Sequence, residues 1–309
     1  MTKSAWVFPG QGSQSVGMLS SLAAQYPIVQ DTYKMASEVL GYDLWELLQN
    51  DKQQQLGQTH ITQPALLSAS YAIYRVLQQI GVDKPDYFAG HSLGEYSALV
   101  CAGVIDFTDA VKLVEARGQF MQQAVPEGVG AMYAIIGLDD AQVLASCQQA
   151  QSQSQEVVSA VNFNSPGQVV IAGNAKAVAL AGELCKAAGA KRALPLSISV
   201  PSHCALMQPA ADKLALSLNQ ITFNTPQIPV INNVDVASPS EPTLIKQALV
   251  EQLYSPVRWT ETVQKMATLG VKNIYEVGPG KVLSGLIKRI DKSLQCEALN
   301  TAEAVSTLK

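Results

Sequence analysis

A serine stands between two glycines in the segment Gly90-His91-Ser92-Leu93-Gly94. This G-x-S-x-G spacing is typical of a nucleophile elbow, a sharp strand-to-helix turn in which the serine backbone is strained and its neighbours must lack side chains. The flanking residues fit, because 85–89 predict a short strand and 95–102 predict a helix. The alternative is a glycine-flanked turn without chemistry. The context favours Ser92 as a covalent nucleophile.

Strand-like and helical patterns alternate along the first part of the chain. Residues 5–8 predict a strand, 20–40 and 64–80 predict helices, and the elbow at Ser92 follows. This alternation indicates an α/β fold with a parallel sheet.

From about Val129 the pattern changes to strand, helix, strand, strand, helix, strand, the order of a ferredoxin-like unit. The six predicted elements are 131–136, 139–151, 157–162, 169–172, 175–188 and 192–197. We expect a small inserted subdomain, with a ligand in the cleft between it and the rest of the chain.

Composition excludes several classes of function. The chain has 309 residues, 48% of them hydrophobic and 15% charged, as in an ordinary globular protein. A net charge of -4 argues against general nucleic-acid binding. No apolar run approaches the roughly 18 residues of a membrane span, and the first residues lack a signal-peptide pattern, so we expect a cytoplasmic protein without a membrane partner. Five cysteines without C-x-x-C spacing argue against a disulfide framework and a zinc site.

A nucleophilic serine needs a base, and the chain has three histidines. His91 is poorly placed to act on its own neighbour, and His60 lies in a polar segment. His203 follows strand-like residues 196–200 and precedes a predicted helix, which would place it at the carboxyl end of a strand, where ligands of α/β sheets gather. The alternative is a structural histidine. No motif marks a carboxylate partner, which counts against an ordinary serine hydrolase.

Arg117 lies on the apolar face of a predicted helix that begins near Thr108, a candidate N-cap. The stripe consists of Ala110, Val114, position 117, Met121 and Ala124. The guanidinium could extend to solvent or pair with an internal acid. Alternatively, Arg117 holds a substrate carboxylate through two parallel hydrogen bonds, which lysine cannot reproduce. The substrate would then be an acyl group that carries its own acid.

The segment Pro9-Gly10-Gln11-Gly12-Ser13-Gln14 follows the first predicted strand. It is not a dinucleotide-binding loop, because Ser15 stands where the third glycine of that motif belongs. The backbone N–H groups of Gln11 and Leu93 could instead form an oxyanion hole beside the elbow. A tight turn that only needs small residues is the alternative.

Several motifs together resemble the bacterial malonyl-CoA:acyl carrier protein transacylases of type II fatty acid synthesis. They are Phe8 to Gln14, Gln63-Pro64-Ala65, Gly90 to Tyr96, Arg117-Gly118, Asn162 to Gln168 and Pro201-Ser202-His203. The resemblance spans nearly the whole chain. It implies an α/β-hydrolase-like large subdomain (1–127 and 199–309) with an inserted ferredoxin-like small subdomain (128–198).

The resemblance also implies a ping-pong acyl transfer. Ser92, deprotonated by His203, would take malonyl from malonyl-CoA, and the phosphopantetheine thiol of holo acyl carrier protein would then remove it. In this family a carbonyl oxygen, matched here by Gln252, orients the catalytic histidine. The residues implied in substrate binding are Arg117, Gln11, Leu93, Gln63, Met121 and Asn162. No metal or tightly held cofactor is implied.

Acyl carrier protein is acidic in this pathway, so we expect a basic docking surface near the cleft. The candidate residues are Lys191, Arg192, Lys281, Lys288 and Arg289. Two other functions stay open. A serine thioesterase or carboxylesterase would use Ser92 and His203 but pass the acyl group to water, and a noncatalytic carrier-binding protein would need neither residue.

Overall fold

The strands form two separate sheets. The computed structural model describes residues 2–197 and 200–308. Its strands are β1 (Lys3–Phe8), β2 (Tyr87–Gly90), β3 (Gly130–Ile136), β4 (Val158–Ser165), β5 (Gln168–Asn174), β6 (Arg192–Pro195), β7 (Val230–Ile231), β8 (Val271–Glu276) and β9 (Gln295–Ala298).

Helices cover both sheets. They are α1 (Ser20–Gln25), α2 (Ile28–Leu40), α3 (Leu44–Asn50), α4 (Thr59–Gln79), α5 (Gly94–Cys101), α6 (Phe107–Ala124), α7 (Asp140–Ser154), α8 (Ala175–Ala187), α9 (Gln208–Asn219), α10 (Pro242–Gln252), α11 (Trp259–Thr268), α12 (Val282–Ile290) and α13 (Ala302–Ser306). Across residues 2–197 and 200–308, every helix is too short or too polar to cross a lipid bilayer.

The first sheet has the strand order β7-β2-β1-β8-β9, and all its pairings are parallel. The central strand β1 is buried on both faces, as its run Ala5-Trp6-Val7-Phe8 requires. Phe8 lies opposite Gly90 in the register of β1 and β2. The loops that follow these strands, one glycine-rich and one containing Ser92, therefore leave the same edge of the sheet side by side.

The second sheet has the order β4-β5-β3-β6, with antiparallel pairing throughout. Helices α7 and α8 cover one face, where Ile135, Val143 and Ala181 share a core. This arrangement confirms the predicted fold class, a parallel α/β unit combined with a ferredoxin-like one.

A segment of the large unit binds the free side of β4. Val257 donates from its N–H to the carbonyl of Val161 at 2.8 Å and accepts from the N–H of Phe163 at 3.0 Å. Asn162 and Val257 thus form an isolated parallel bridge. These bonds fix the position of the small sheet over the first one.

Three predicted helices have different bounds. The helix expected over 20–40 is broken, because Tyr26 precedes Pro27 and adopts an extended conformation. Helix α4 begins at Thr59 rather than at 64, so Pro64 lies inside it as the sixth residue and cannot donate to the carbonyl of residue 60. The N-cap of α6 is Asp106, not Thr108; its carboxylate accepts from the N–H groups of Thr108 and Asp109.

The prediction of a strand over 196–200 is also wrong for the residues that the structure describes there. Strand β6 ends at Pro195, and Leu196, Ser197 and Val200 lie outside any strand; residues 198 and 199 are outside the described residues. His203 therefore comes from a turn beyond the small sheet, and its N–H donates to the carbonyl of Leu253 at 2.9 Å.

Candidate active site

The elbow joins β2 to α5 with no room for side chains at its two glycines. Ser92 has a φ of 52°, in the left-handed region that L-residues rarely adopt. A Cβ on Gly90 would overlap the backbone of Gly94, and one on Gly94 would overlap the carbonyl of Phe8. The strain at Ser92 is held by this packing, which presents the side chain above the sheet.

We expect Gly94→Ala to lower the free energy of unfolding by about 3 kcal/mol, because the rigid β1 backbone must shift. Urea denaturation measures the change. The matched control is Gly285→Ala inside α12, where an added Cβ meets open space. That variant should be more stable by about 0.5–1 kcal/mol, and equal stabilities for the two variants would contradict the packing at the elbow.

Ser92, His203 and Gln252 form a hydrogen-bonded chain. The Nε2 atom of His203 lies 2.8 Å from Ser92 Oγ. Its Nδ1 atom lies 2.7 Å from the main-chain carbonyl oxygen of Gln252. A carbonyl can only accept, so Nδ1 carries the proton and Nε2 is free to accept one from the serine. The backbone of Gln252 thus occupies the position of the carboxylate in a serine hydrolase.

His203 is neutral in this setting. Its side chain is buried, and burial together with the charge of Arg117 lowers its pKa to about 3, against the opposing effect of the Gln252 carbonyl. A neutral imidazole is the form that can act as a base.

A cavity of about 270 Å³ opens between the two sheets next to Ser92 and His203. Gln11, Met121 and Asn162, all singled out in the sequence, line it. Leu93 does not line it, but its N–H follows Ser92 at the start of α5. Neither this N–H nor that of Gln11 hydrogen-bonds to any group among residues 2–197 and 200–308. Both are therefore available to an anionic oxygen.

Arg117 is fully buried, does not itself line this cavity, and lies close enough to His203 for its charge to act on that imidazole. Its Nη1 donates to Gln63 Oε1 at 2.9 Å, and its Nη2 donates to Gln252 Oε1 at 3.0 Å. The guanidinium lies 5.2 Å from the centre of the Tyr96 ring. In the part of the chain that the structure describes, no carboxylate lies within 4.0 Å of it, and its Nε has no partner. Burying a cation without an anion is costly unless one binds there.

The side chain of Gln252 connects Arg117 to a buried acid. Its Oε1 accepts from Arg117, and its Nε2 donates to Glu95 Oε2 at 2.9 Å and to the carbonyl of Ser92 at 3.1 Å. Burial raises the pKa of Glu95 to about 7, although the hydrogen bonds from Gln252 and Asn233 and the Arg117 charge oppose the shift.

The comparisons with known proteins agree with this geometry. The family model for the acyl transferase domain matches residues 5–309. The chain belongs to this family. The acyl transferase is 63% identical to the malonyl CoA-acyl carrier protein transacylase of Escherichia coli K12 over 306 residues, which cover 99% of this chain and 98% of the relative.

Two solved structures show the same fold. An acyl carrier protein S-malonyltransferase from Vibrio cholerae matches with a TM-score of 0.97 and 63% identity, over 100% of both chains. A malonyl-transacylase solved in complex with its type II polyketide acyl-carrier protein matches with a TM-score of 0.98 and 58% identity, over 99% of each chain.

Sequence reasoning gave no role to Asn233, which holds the elbow of the acyl transferase. Its Oδ1 accepts from the N–H of Ser92 at 2.8 Å, and its Nδ2 donates to the carbonyl of Gly90 at 2.6 Å. Its position two residues after β7, at the carboxyl end of a parallel strand, is the signal that could have revealed it. His91 is also structural here, since its Nε2 pairs with Asn164 Oδ1 at 2.8 Å.

The five basic residues of the predicted docking surface are all exposed. Lys191 and Arg192 lie at the start of β6, whereas Lys281, Lys288 and Arg289 lie on or beside α12. Arg289 donates to Gln168, which lines the cavity.

Within 2–197 and 200–308, no three His, Cys, Asp or Glu side chains cluster as metal ligands would.

Proposed function

We propose that this acyl transferase moves malonyl from malonyl-CoA to the phosphopantetheine thiol of holo acyl carrier protein through a malonyl-Ser92 ester. The observation that carries the proposal is that Arg117, buried beside the Ser92–His203 pair, has no carboxylate of the described residues within 4.0 Å. A buried cation whose partners are neutral amides favours an acyl group with its own carboxylate. The activities named for the similar proteins agree with this choice.

In the first half-reaction, Ser92 Oγ attacks the thioester carbonyl carbon while its proton passes to His203 Nε2. The carbonyl oxygen becomes an oxyanion and accepts from the N–H groups of Gln11 and Leu93. The carbon–sulfur bond then breaks, and the coenzyme A sulfur leaves with the proton from His203.

The second half-reaction runs the same steps in reverse. The carrier thiol gives its proton to His203, its sulfur attacks the ester carbonyl, and the bond to Ser92 Oγ breaks as the proton returns to the serine. The Gln252 carbonyl keeps the Nδ1–H tautomer through both halves. Gln63 holds the guanidinium of Arg117 from the side of Met121, whose sulfur accepts from Gln63 at 3.5 Å.

The same proposal divides the chain into a large subdomain, 1–127 and 199–309, and a small subdomain, 128–198. In support, the antiparallel sheet lies between Gly130 and Pro195.

The reaction needs no cofactor, because every proton transfer has a side chain to perform it. A reducing cytoplasm suits the five unpaired cysteines and the thiol substrates.

The test is the intact mass of the protein after brief exposure to malonyl-CoA, with and without holo acyl carrier protein. We expect a malonyl adduct that moves onto the carrier. An adduct that is discharged to water in the presence of the carrier would indicate a thioesterase, and no adduct at all would overturn the covalent mechanism.

Docking of the acidic carrier should depend on the five exposed basic residues predicted from the sequence, of which Arg289 contacts the cavity-lining Gln168. Charge reversal at Lys191, Arg192, Lys281, Lys288 and Arg289 should raise the KM for carrier protein about tenfold at low salt, and less at high salt. Malonyl-CoA should acylate Ser92 at the normal rate. The control reverses Lys34 and Lys112, which are exposed on α2 and α6 away from the cavity lining. A KM that stays the same at every salt concentration would rule out this surface.

A further inference from the structure

Glu95 is a buried carboxyl group that the acyl transfer does not use. It lies in the first turn of α5, three residues after Ser92, and only 2% of its surface is exposed. Its Oε2 atom accepts two hydrogen bonds, from the N–H of Asn233 at 2.9 Å and from Gln252 Nε2 at 2.9 Å. Both donors belong to residues that also contact the elbow, since each bonds to a main-chain atom of Ser92.

The amide of Gln252 has an oxygen side and a nitrogen side, which need opposite partners. The oxygen faces Arg117 Nη2, a donor, at 3.0 Å. The nitrogen faces Glu95 Oε2, an acceptor, at 2.9 Å. With both partners in place, only one orientation of the amide satisfies the two contacts. Glu95 therefore holds Gln252 from the side opposite Arg117.

We infer that Glu95 is a positioning residue that selects for malonyl by fixing the Gln252 amide, whose oxygen aligns the Arg117 guanidinium. This inference rests on the proposed function. Glu95 touches neither substrate nor Arg117 directly in the hydrogen-bond network; it acts through Gln252. Gln252 thereby links Arg117 to the elbow, since it bonds both to the guanidinium and to the carbonyl of Ser92.

Glu95 could influence malonyl binding through its charge or by positioning Gln252, and the two roles predict opposite results when Glu95 is altered. As a negative charge near Arg117, it would compete with the malonyl carboxylate, so its removal would strengthen malonyl binding. As a positioning residue, it orders the arginine for a bidentate contact, so loss of the hydrogen bond would weaken malonyl binding. The sign of the effect separates the two roles.

Two substitutions divide the contact from the charge. Glu95→Gln removes the charge but keeps an oxygen that can accept from both donors. Glu95→Asp keeps the charge but withdraws the oxygens by one methylene, which breaks the reach to Gln252. The measured quantity is the ratio of kcat/KM for malonyl-CoA to that for acetyl-CoA, with holo acyl carrier protein as acceptor.

We expect Glu95→Gln to keep the wild-type ratio within about twofold, and Glu95→Asp to lower it about tenfold, mostly through the KM for malonyl-CoA. In an Arg117→Ala background, Glu95→Asp should change the ratio no further, because the residue through which it acts is gone. If Glu95→Asp lowers the ratio about tenfold in the Arg117→Ala background as well, Glu95 acts through a group other than Arg117, and the inference is overturned.

Glu276→Gln is the matched control for altering a buried carboxyl group. Glu276 is fully buried and accepts from Leu283 and Ser284 at the start of α12, away from Gln252. Glu276→Gln should lower the thermal unfolding midpoint and leave the ratio of kcat/KM for malonyl-CoA to that for acetyl-CoA unchanged. A higher ratio in both Glu95 variants would indicate charge competition, and equal losses for both acyl groups would indicate a purely structural role; either result overturns the inference.

If the Asp variant does not fold, Glu95→Met takes its place, because it keeps the length of the side chain but removes the acceptor for Gln252; a ratio that stays at the wild-type value there overturns the inference. The wild type is measured first. Normal malonyl transfer with unaffected variants would remove only the role of Glu95. A wild type that transfers no malonyl to the carrier would remove the proposed function, and the inference with it.

Discussion

Ser92→Ala is expected to reduce malonyl transfer by about 10⁴-fold or more, the scale on which loss of a covalent nucleophile acts. The substitution removes the hydroxyl that lies 2.8 Å from His203 Nε2 and serves as its proton donor. It also prevents the ester from forming. Stopped-flow transfer assays and intact mass after malonyl-CoA exposure both measure the loss.

Ser97→Ala is the matched control for this variant. Ser97 lies on α5 as well, is 1% exposed, and its Oγ has no hydrogen-bond partner among residues 2–197 and 200–308. Its removal should leave the transfer rate and the malonyl adduct unchanged. An adduct of normal mass and rate in Ser92→Ala would show that a different group carries the acyl chain.

Arg117→Ala should change acyl preference rather than serine reactivity. Loss of a buried, charge-assisted contact costs about 3 kcal/mol, so kcat/KM for malonyl-CoA should fall about a hundredfold. Acetyl-CoA has no carboxylate to lose, and its transfer should survive or rise, because removal of the nearby cation also relieves the lowered pKa of His203. The ratio of the two rates is the measurement.

Arg117→Lys keeps the charge but not the fork of donors, so it should recover only part of the malonyl preference. Arg75→Ala is the control, since this half-buried arginine on α4 bonds Thr32 outside the site. It should leave the ratio unchanged. Equal losses for malonyl and acetyl transfer in Arg117→Ala would make Arg117 a structural residue.

Local patterns predicted the fold class because each element carries its own signal. The alternation before Ser92 and the strand-helix-strand-strand-helix-strand order after Val129 both survive in the structure. The breaks were harder to place. Pro27 separates α1 from α2 whereas Pro64 lies inside α4, so the presence of a proline does not by itself tell where a helix ends.

The polar network around the elbow could not be predicted in the same way. The sequence marked Ser92, His203, Arg117 and Gln252, which the structure brings together. It gave no role to Glu95 or Asn233, which are 138 residues apart and meet only after the sheet has formed. It also placed His203 after a strand, whereas packing of a turn against Leu253 positions it.

The Val257 segment that fixes the small sheet also has a consequence for solubility. An unpaired outer strand is a template on which a second chain can add and aggregate. Part of β4 is closed to such pairing, because Val257 occupies the N–H of Phe163 and the carbonyl of Val161. The opposite outer strand, β6, is four residues long, begins at an exposed arginine and ends at Pro195. Each outer strand of this sheet is therefore protected from adding a neighbour, one by its own chain and one by its length and sequence.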